Sequence, residues 1–241
     1  MLVEIGKYGI FEDKVRCAPI LQAIAGGQYD YFLIAGSSAR VRDTKTGYFR
    51  FVINDDKDIK ALTEDIRGLL HRFIVVDSSS EESWRALFPH AEYNYFRMSV
   101  VTNDLLPSLP ASRWPRDVQI VPMDESWAEL VIASCACEEF PADSIRSQIK
   151  ENLSLGLMWK GKQSGFYSKH LNGEMGPFWV APELRLRGFG TLLKQEYLRK
   201  YLVDNAIGFG LITVENEAII KTNESLGIRL LEKNILHLTV R

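Results

Sequence analysis

The nineteen residues from Asn172 to Gly190, NGEMGPFWVAPELRLRGFG, restrict the fold of this chain more than any other stretch. Asn172-Gly173 is the strongest short hairpin-turn signal. Met175 to Val180 is apolar-rich and predicts a buried strand. Pro182 has no N–H to give a ladder, so pairing ends there. Arg185-Leu186-Arg187-Gly188-Phe189-Gly190 follows, and Thr191 to Leu198 then carries apolar residues at helical spacing. A strand therefore runs through a glycine-bearing loop into a helix N-terminus.

That arrangement can hold an anion. The N–H groups of a first helical turn have no intrahelical acceptor, and the helix dipole favours negative charge there. Gly188 and Gly190 let backbone approach a phosphate, and Arg185 and Arg187 add positive charge. On the loop alone, an ordinary strand-to-helix connection with surface arginines accounts for the same residues. The loop is not the dinucleotide fingerprint G-x-G-x-x-G, because Leu193 stands three residues after Gly190.

Around this stretch the chain reads as two α/β parts. In the first, strands are expected at Tyr29–Ala35, Tyr48–Ile53, Phe73–Val76 and Tyr93–Val101. Helices are expected near Val15–Ile24, at Asp58–Leu70 and at Glu82–Phe88. Three prolines within Leu105–Pro115 preclude a helix and favour an extended crossing, so the boundary is set between residues 112 and 113. After it come a strand at Val118–Pro122, helices at Glu125–Phe140 and Asp143–Leu153, and a hairpin of Leu155–Trp159 with Gly165–Lys169. The central strand, the loop and a helix over 191–203 follow. A strand at Phe209–Val214, a helix at Glu217–Leu226 and terminal strand over Arg229–Val240 complete the order β-α-α-β-β-β-α-β-α-β.

The R-x-x-G-x-G spacing after a strand resembles the pyrophosphate loop of the GNAT superfamily of acyl-CoA-dependent N-acyltransferases. The string GEMGPFWVAPELR is similar to the glycine N-acyltransferase-like branch, where a G-E-M segment leads into a P-E-x-R turn. The resemblance implies a mixed α/β fold with a GNAT-type catalytic domain at 113–241. Residues 1–112 would form a smaller α/β domain, with a degenerate copy of the same fold as one account of it. It further implies that the strand before the loop splays from its neighbour and offers the backbone of Phe178, Trp179 and Val180 to the pantetheine arm. The loop Arg185, Leu186, Arg187, Gly188, Phe189, Gly190 and Thr191 would hold the pyrophosphate.

Glu174 lies eleven residues before Arg185, the spacing some members use for a general base. A carboxylate there can take the proton an amine must lose on attacking a thioester; a turn-adjacent surface carboxylate is the plain alternative. His170 is a second candidate base across the 171–173 turn. Asn216, after the next strand, corresponds to an asparagine that contacts the cofactor arm, although capping the following helix would equally explain it. Asn223 stands where many members carry a tyrosine that protonates the leaving thiolate. An amide has no such proton, so the general acid is unassigned.

The implied activity is direct transfer of an acyl group, acetyl in the first instance, from acyl-CoA to a small amine such as an amino acid. No activated nucleophile for a covalent intermediate is in sight. The alternatives are acetylation of a protein lysine or polyamine, and an acyl-CoA-binding sensor or scaffold without turnover. No metal is expected, since Cys135 and Cys137 do not face one another on a helix and no nearby His completes a ligand set. A net charge of −2 suggests no generic nucleic-acid surface. No apolar run reaches the roughly 18 residues of a membrane span. Early charges in the first sixteen residues argue against a signal peptide, and three cysteines argue for a reducing compartment, cytoplasmic in the first instance.

Overall fold

The computed structural model describes residues 10, 12–68, 72–76, 80–109, 111, 114–135, 141–151, 154–204 and 207–240. Two compact units emerge. The first comprises residues 1–100, 211–217 and 229–241, and the second residues 101–210 and 218–228.

The first unit holds most of a seven-stranded sheet, to which residues 101–102 and 207–210 of the second unit also belong. Its strands are β1 (Tyr29–Ala35), β2 (Ser38–Asp43), β3 (Phe49–Val52), β4 (Arg72–Val75), β5 (Glu92–Thr102), β10 (Ile207–Thr213) and β11 (Arg229–Thr239), in the order β1-β2-β3-β4-β11-β5-β10. Helices α1 (Ala18–Ala25), α2 (Asp58–Thr63) and α3 (Glu81–Leu87) accompany it. The core is aromatic: Phe51 meets Trp84 edge-on at 4.9 Å, and Phe73 packs on Phe88 at 5.4 Å. Strand β2, SARVRD, is not among the strands expected from the sequence. The structure buries Arg40 and Asp43 of this strand: Arg40 binds Asp65 through two nitrogens at 2.8 and 2.9 Å, and Arg50 of β3 pairs with Asp43 at 3.1 Å. Paired in this way, their burial becomes tolerable.

The last strand changes the expected domain division. β11 lies between β4 and β5, antiparallel to both, with Leu236 opposite Val75 and Tyr95. The chain therefore does not divide cleanly at 112/113. Leu236 and Leu238 alternate inward and are fully enclosed in the aromatic core of the first unit, which explains where the C-terminal strand goes. The proline segment also differs from the extended crossing expected of it. Asn103–Ser108 is a 3₁₀ helix with Pro107 inside it. Proline's fixed φ suits that helix, and a short 3₁₀ turn loses little by its missing donor.

In the second unit, β6 (Val118–Pro122), β7 (Leu155–Trp159), β8 (Lys162–Lys169) and β9 (Met175–Val180) form an antiparallel meander in chain order. Strand alternation divides its side chains between two cores. Phe166 and Trp179 face α4 (Ala128–Cys135) and α5 (Ala142–Glu151), while Leu155, Leu157, Tyr167 and Phe178 pack with α6 (Phe189–Asp204). A short helix, α7 (Glu217–Ser225), supplies Asn223 within this unit. Gly156 has no side chain because Trp127 leaves no room: a Cβ there would come within 2.3 Å of the indole. The helix expected over 58–70 stops at Thr63 and continues as 3₁₀ to Ile66, with Leu69 and Leu70 outside the described residues. Cys137 and Leu153 also lie outside them. Among the described residues no helix is long and apolar enough to cross a membrane.

The position of β11 yields a test. Leu236→Ala empties a fully enclosed site in the first unit, and comparable core truncations cost about 2–5 kcal/mol. Urea unfolding should show that loss. An unchanged midpoint would mean that β11 does not belong to this core.

Candidate acyl-CoA site

The site is built from the entrance of β9 onwards. Gly173 takes φ +84°, which a glycine adopts without strain, and closes a tight turn. Asn172 Oδ1 accepts from the Glu174 N–H at 3.0 Å, the His170 N–H donates to the Glu174 carbonyl at 2.8 Å, and Gly173 N–H donates to the His170 carbonyl at 2.9 Å. Both main-chain polar groups of Glu174 are thereby engaged, which fixes its Cα at the strand entrance and leaves the side chain part-exposed. The carboxylate's charge reaches Tyr167, whose hydroxyl is driven far above the usual range by burial first, and then by Tyr201 and Glu174. Burial pushes the His170 imidazole down to about 4, so it is neutral and weakly basic near pH 7.

Strand β9 hydrogen-bonds to β8, with Tyr167 opposite Phe178 and Phe166 opposite Trp179. Among the described residues its other edge has no strand partner, and β10 lies in the other sheet. Pro177 stands inside β9, and an irregular register between Tyr167 and Lys169 accommodates it. Such a residue is tolerated on an edge strand, where a missing donor breaks no second ladder.

After β9, Pro182–Leu184 makes one 3₁₀ turn. Arg185 Nε donates to the Val180 carbonyl at 2.9 Å, and an Arg187 nitrogen donates to the Glu183 carbonyl at 3.3 Å. Leu186 and Gly188 both have left-handed backbone, at φ +56° and +81°. Alternating hands of this kind turn backbone N–H groups into anion-binding concavities. Leu186, Arg187 and Gly188 are exposed, and α6 begins at Phe189. Gly190 has a different reason to be glycine: a Cβ there would lie 3.1 Å from the Phe178 ring. Loop, helix start and β9 are in direct contact through that pair. Arg187 lies 5.4 Å from the Phe189 ring centre and 5.9 Å from that of Trp159.

The structure thus brings Phe178, Val180 and Gly190 together, places Thr191 in the first turn of α6, and turns Trp179 to the opposite face, stacked on Phe166 at 5.8 Å. Asn216 is exposed and belongs to the first unit. Asn223 is fully enclosed within the second. Its Oδ1 accepts a hydrogen bond from Lys194 Nζ, and its Nδ2 has no partner among the described residues.

Lys194 is the functional candidate that residue-by-residue inspection missed. It is 3% exposed, with Nζ 5.4 Å from the Tyr167 ring centre and 5.9 Å from that of Phe178. Its spacing carried the signal: Lys194, Tyr197, Leu198 and Tyr201 recur at helical intervals and share the buried face of α6.

The fold so defined, a curved mixed α/β arrangement with a strand–loop–helix of this form, is that of GCN5-related N-acetyltransferases. A GCN5-related N-acetyltransferase from Kribbella flavida aligns with TM-score 0.65 and 11% identity, over 94% of this chain and 95% of its own. A protein from Drosophila aligns with TM-score 0.67 and 14% identity, over 84% and 73%. A tandem GNAT protein from the clavulanic acid biosynthesis pathway aligns with TM-score 0.54 and 14% identity, over 95% of each chain. No protein-family model and no curated protein sequence matches the chain.

The buried lysine has a measurable cost. Burial lowers the Lys194 ammonium from its ordinary value of 10.5 to about 7. Between those values the unfolded chain holds a proton that the folded chain has released, so stability rises with pH. Below about pH 7 the full penalty, on the order of 5 kcal/mol, is present. Lys194→Met removes it but leaves Asn223 Oδ1 unpartnered, at about 1–3 kcal/mol. A net gain of about 2–4 kcal/mol is expected near neutral pH, narrowing towards pH 10. Denaturant titrations at the two pH values check this. A variant that is less stable, or whose gain ignores pH, would contradict it.

Proposed function

We propose that this protein transfers an acyl group from acyl-CoA to the amine of a small molecule by direct attack, with Glu174 as general base. The observation that carries the reading is the edge of β9, without a strand partner among the described residues, feeding directly into an exposed glycine loop and helix start. An extended chain bearing amides can pair with free strand N–H and C=O groups, as a third strand would. Farther along, the left-handed loop and the first turn of α6 suit a pyrophosphate, and Arg185 and Arg187 lie beside them. The pantetheine and pyrophosphate parts of CoA fit these two features in that order. A backbone N–H of β9 near the thioester carbonyl would stabilise its developing negative charge.

Glu174 is suited to the base role by position, at the strand entrance and part-exposed, where an amine can approach. The GEM and PELR segments support an amino acid such as glycine as acceptor, and a protein lysine or polyamine is the alternative. An acyl-CoA-binding sensor without turnover is favoured by one feature only: Asn223 has no proton to give. Release of free CoA thiol from acetyl-CoA with a panel of amines separates enzyme from sensor.

Two outcomes follow. Gly188→Ala places a side chain at φ +81°, a strain of about 1–2 kcal/mol. CoA affinity should fall about tenfold by calorimetry with the fold intact; unchanged affinity would remove the loop from the site. Glu174→Gln keeps shape and deletes the base, so kcat should fall by about 10²–10⁴ with little change in CoA affinity. The deficit should shrink at high pH, where the free amine is already deprotonated. Normal turnover at neutral pH would transfer the role to another group, and His170, across the same turn, is the next candidate.

A further inference from the structure

We propose that Lys194 donates the proton that the departing CoA thiolate needs, with Asn223 holding the ammonium in position. This rests on the acyl-transfer reading above and assigns a group within it.

The geometry is unusual for a packing residue. Lys194 Nζ is enclosed between the Tyr167 and Phe178 rings and bonded to Asn223 Oδ1. Among the described residues no carboxylate lies within ion-pair distance of it. An ammonium carries three donors, and a single amide oxygen satisfies one. The Asn223 Nδ2 and the Tyr197 hydroxyl are likewise buried and, among the described residues, without partners. Tyr197 lies tilted against Tyr167, with ring centres 4.2 Å apart, and so packs on the same ring that Lys194 Nζ lies over. A cluster rich in donors and poor in acceptors suits an electron-rich visitor. Methionine or leucine would fill the same space without the desolvation cost.

The cluster sits beneath the strand assigned to the thioester arm. Phe178 belongs to β9, is only part-buried, and touches the position of Gly190 at the start of α6. An arm paired along the free edge of β9 passes this residue. The proton balance closes without any further reagent. The amine nitrogen bonds to the acyl carbon and gives its proton to Glu174. The C–S bond breaks and its electron pair stays on sulfur. Lys194 passes a proton to that sulfur and is left neutral. Glu174 then loses its proton to solvent and Lys194 regains one, so thioester and amine become amide and thiol.

The surroundings let Lys194 titrate in a useful range. Facing it are Tyr167 from β8, with Lys169 of the same strand over the Tyr201 ring at 5.5 Å. Tyr197 and Tyr201 face it from α6, Phe178 from β9 with Glu174 at that strand's entrance, and Asn223 from α7. Burial drives Tyr167 and Tyr197 far up, so both stay neutral near pH 7. Burial lowers Lys194 to about 7, which brings its titration from the alkaline range towards neutral pH.

The test compares wild type and Lys194→Met, with acetyl-CoA and the best amine from the panel, from about pH 6 to about pH 9. The expected result is a fall in kcat on the order of 10²-fold, the lower end for acid–base groups because an alkyl thiolate already leaves tolerably. KM for acetyl-CoA should hold. Wild type should lose kcat above neutral pH as the ammonium disappears, and the variant should lack that limb. A wild-type profile without the alkaline limb overturns the assignment even if the variant fails to fold. So does a variant with normal kcat, or one with reduced kcat and the limb retained, which would mark a packing role. If wild type forms no amide with any amine, the acyl-transfer reading itself fails and the assignment falls with it.

Discussion

Strand β9 is hydrogen-bonded along one edge and, among the described residues, has no strand along the other. Backbone donors and acceptors left in this state are costly when buried and are a template for pairing when exposed. The rest of the second unit makes that edge usable. The turn at Asn172–Glu174 fixes where β9 begins, β8 holds its register, and Gly190 lets α6 start in contact with Phe178. An edge strand that ends in a helix N-terminus offers amide pairing and anion binding in sequence. That is the order of the amides and phosphates in the acyl-CoA proposed above as its ligand.

Much of this was legible because it is local. Asn-Gly, the apolar run, Pro182 and the two glycines each act within a few residues, and β9, the loop and α6 appear where those signals put them. The edge position of β9 was also legible and was passed over: Pro177 within the strand is a mark of an edge, yet Met175–Val180 reads by composition as buried. Lys194 was obscured in another way. A lysine is expected to be solvated, and only its helical phase with Tyr197 and Tyr201 shows that it must point inward.

What could not be read locally is pairing between distant strands. Arg229–Thr239 looks like any terminal strand, and its periodicity does not say which sheet will take it. Its place between β4 and β5 depends on an aromatic core assembled more than a hundred residues earlier. The charged strand β2 is a related case. Arg40 and Arg50 are buried because Asp65 and Asp43 meet them, and no window of sequence contains those pairings together with the sheet they belong to.

Helix α6 shows how the two demands meet in one element. One of its faces closes the core over β7, β8 and β9, and that same face carries the ammonium of Lys194. Burial is what costs stability and also what brings the lysine's proton affinity close to neutrality. The two effects have one cause and cannot be tuned separately: solvating Lys194 would recover stability and return it to an ammonium too weakly acidic to give up a proton near pH 7. Asn223 fits this balance better than an acidic residue would. A carboxylate in its place would stabilise the buried charge and raise the lysine's proton affinity again, whereas a neutral amide orients the ammonium while leaving its proton available. That no carboxylate meets Lys194 among the described residues is therefore the feature that suits it to the proton transfer proposed above.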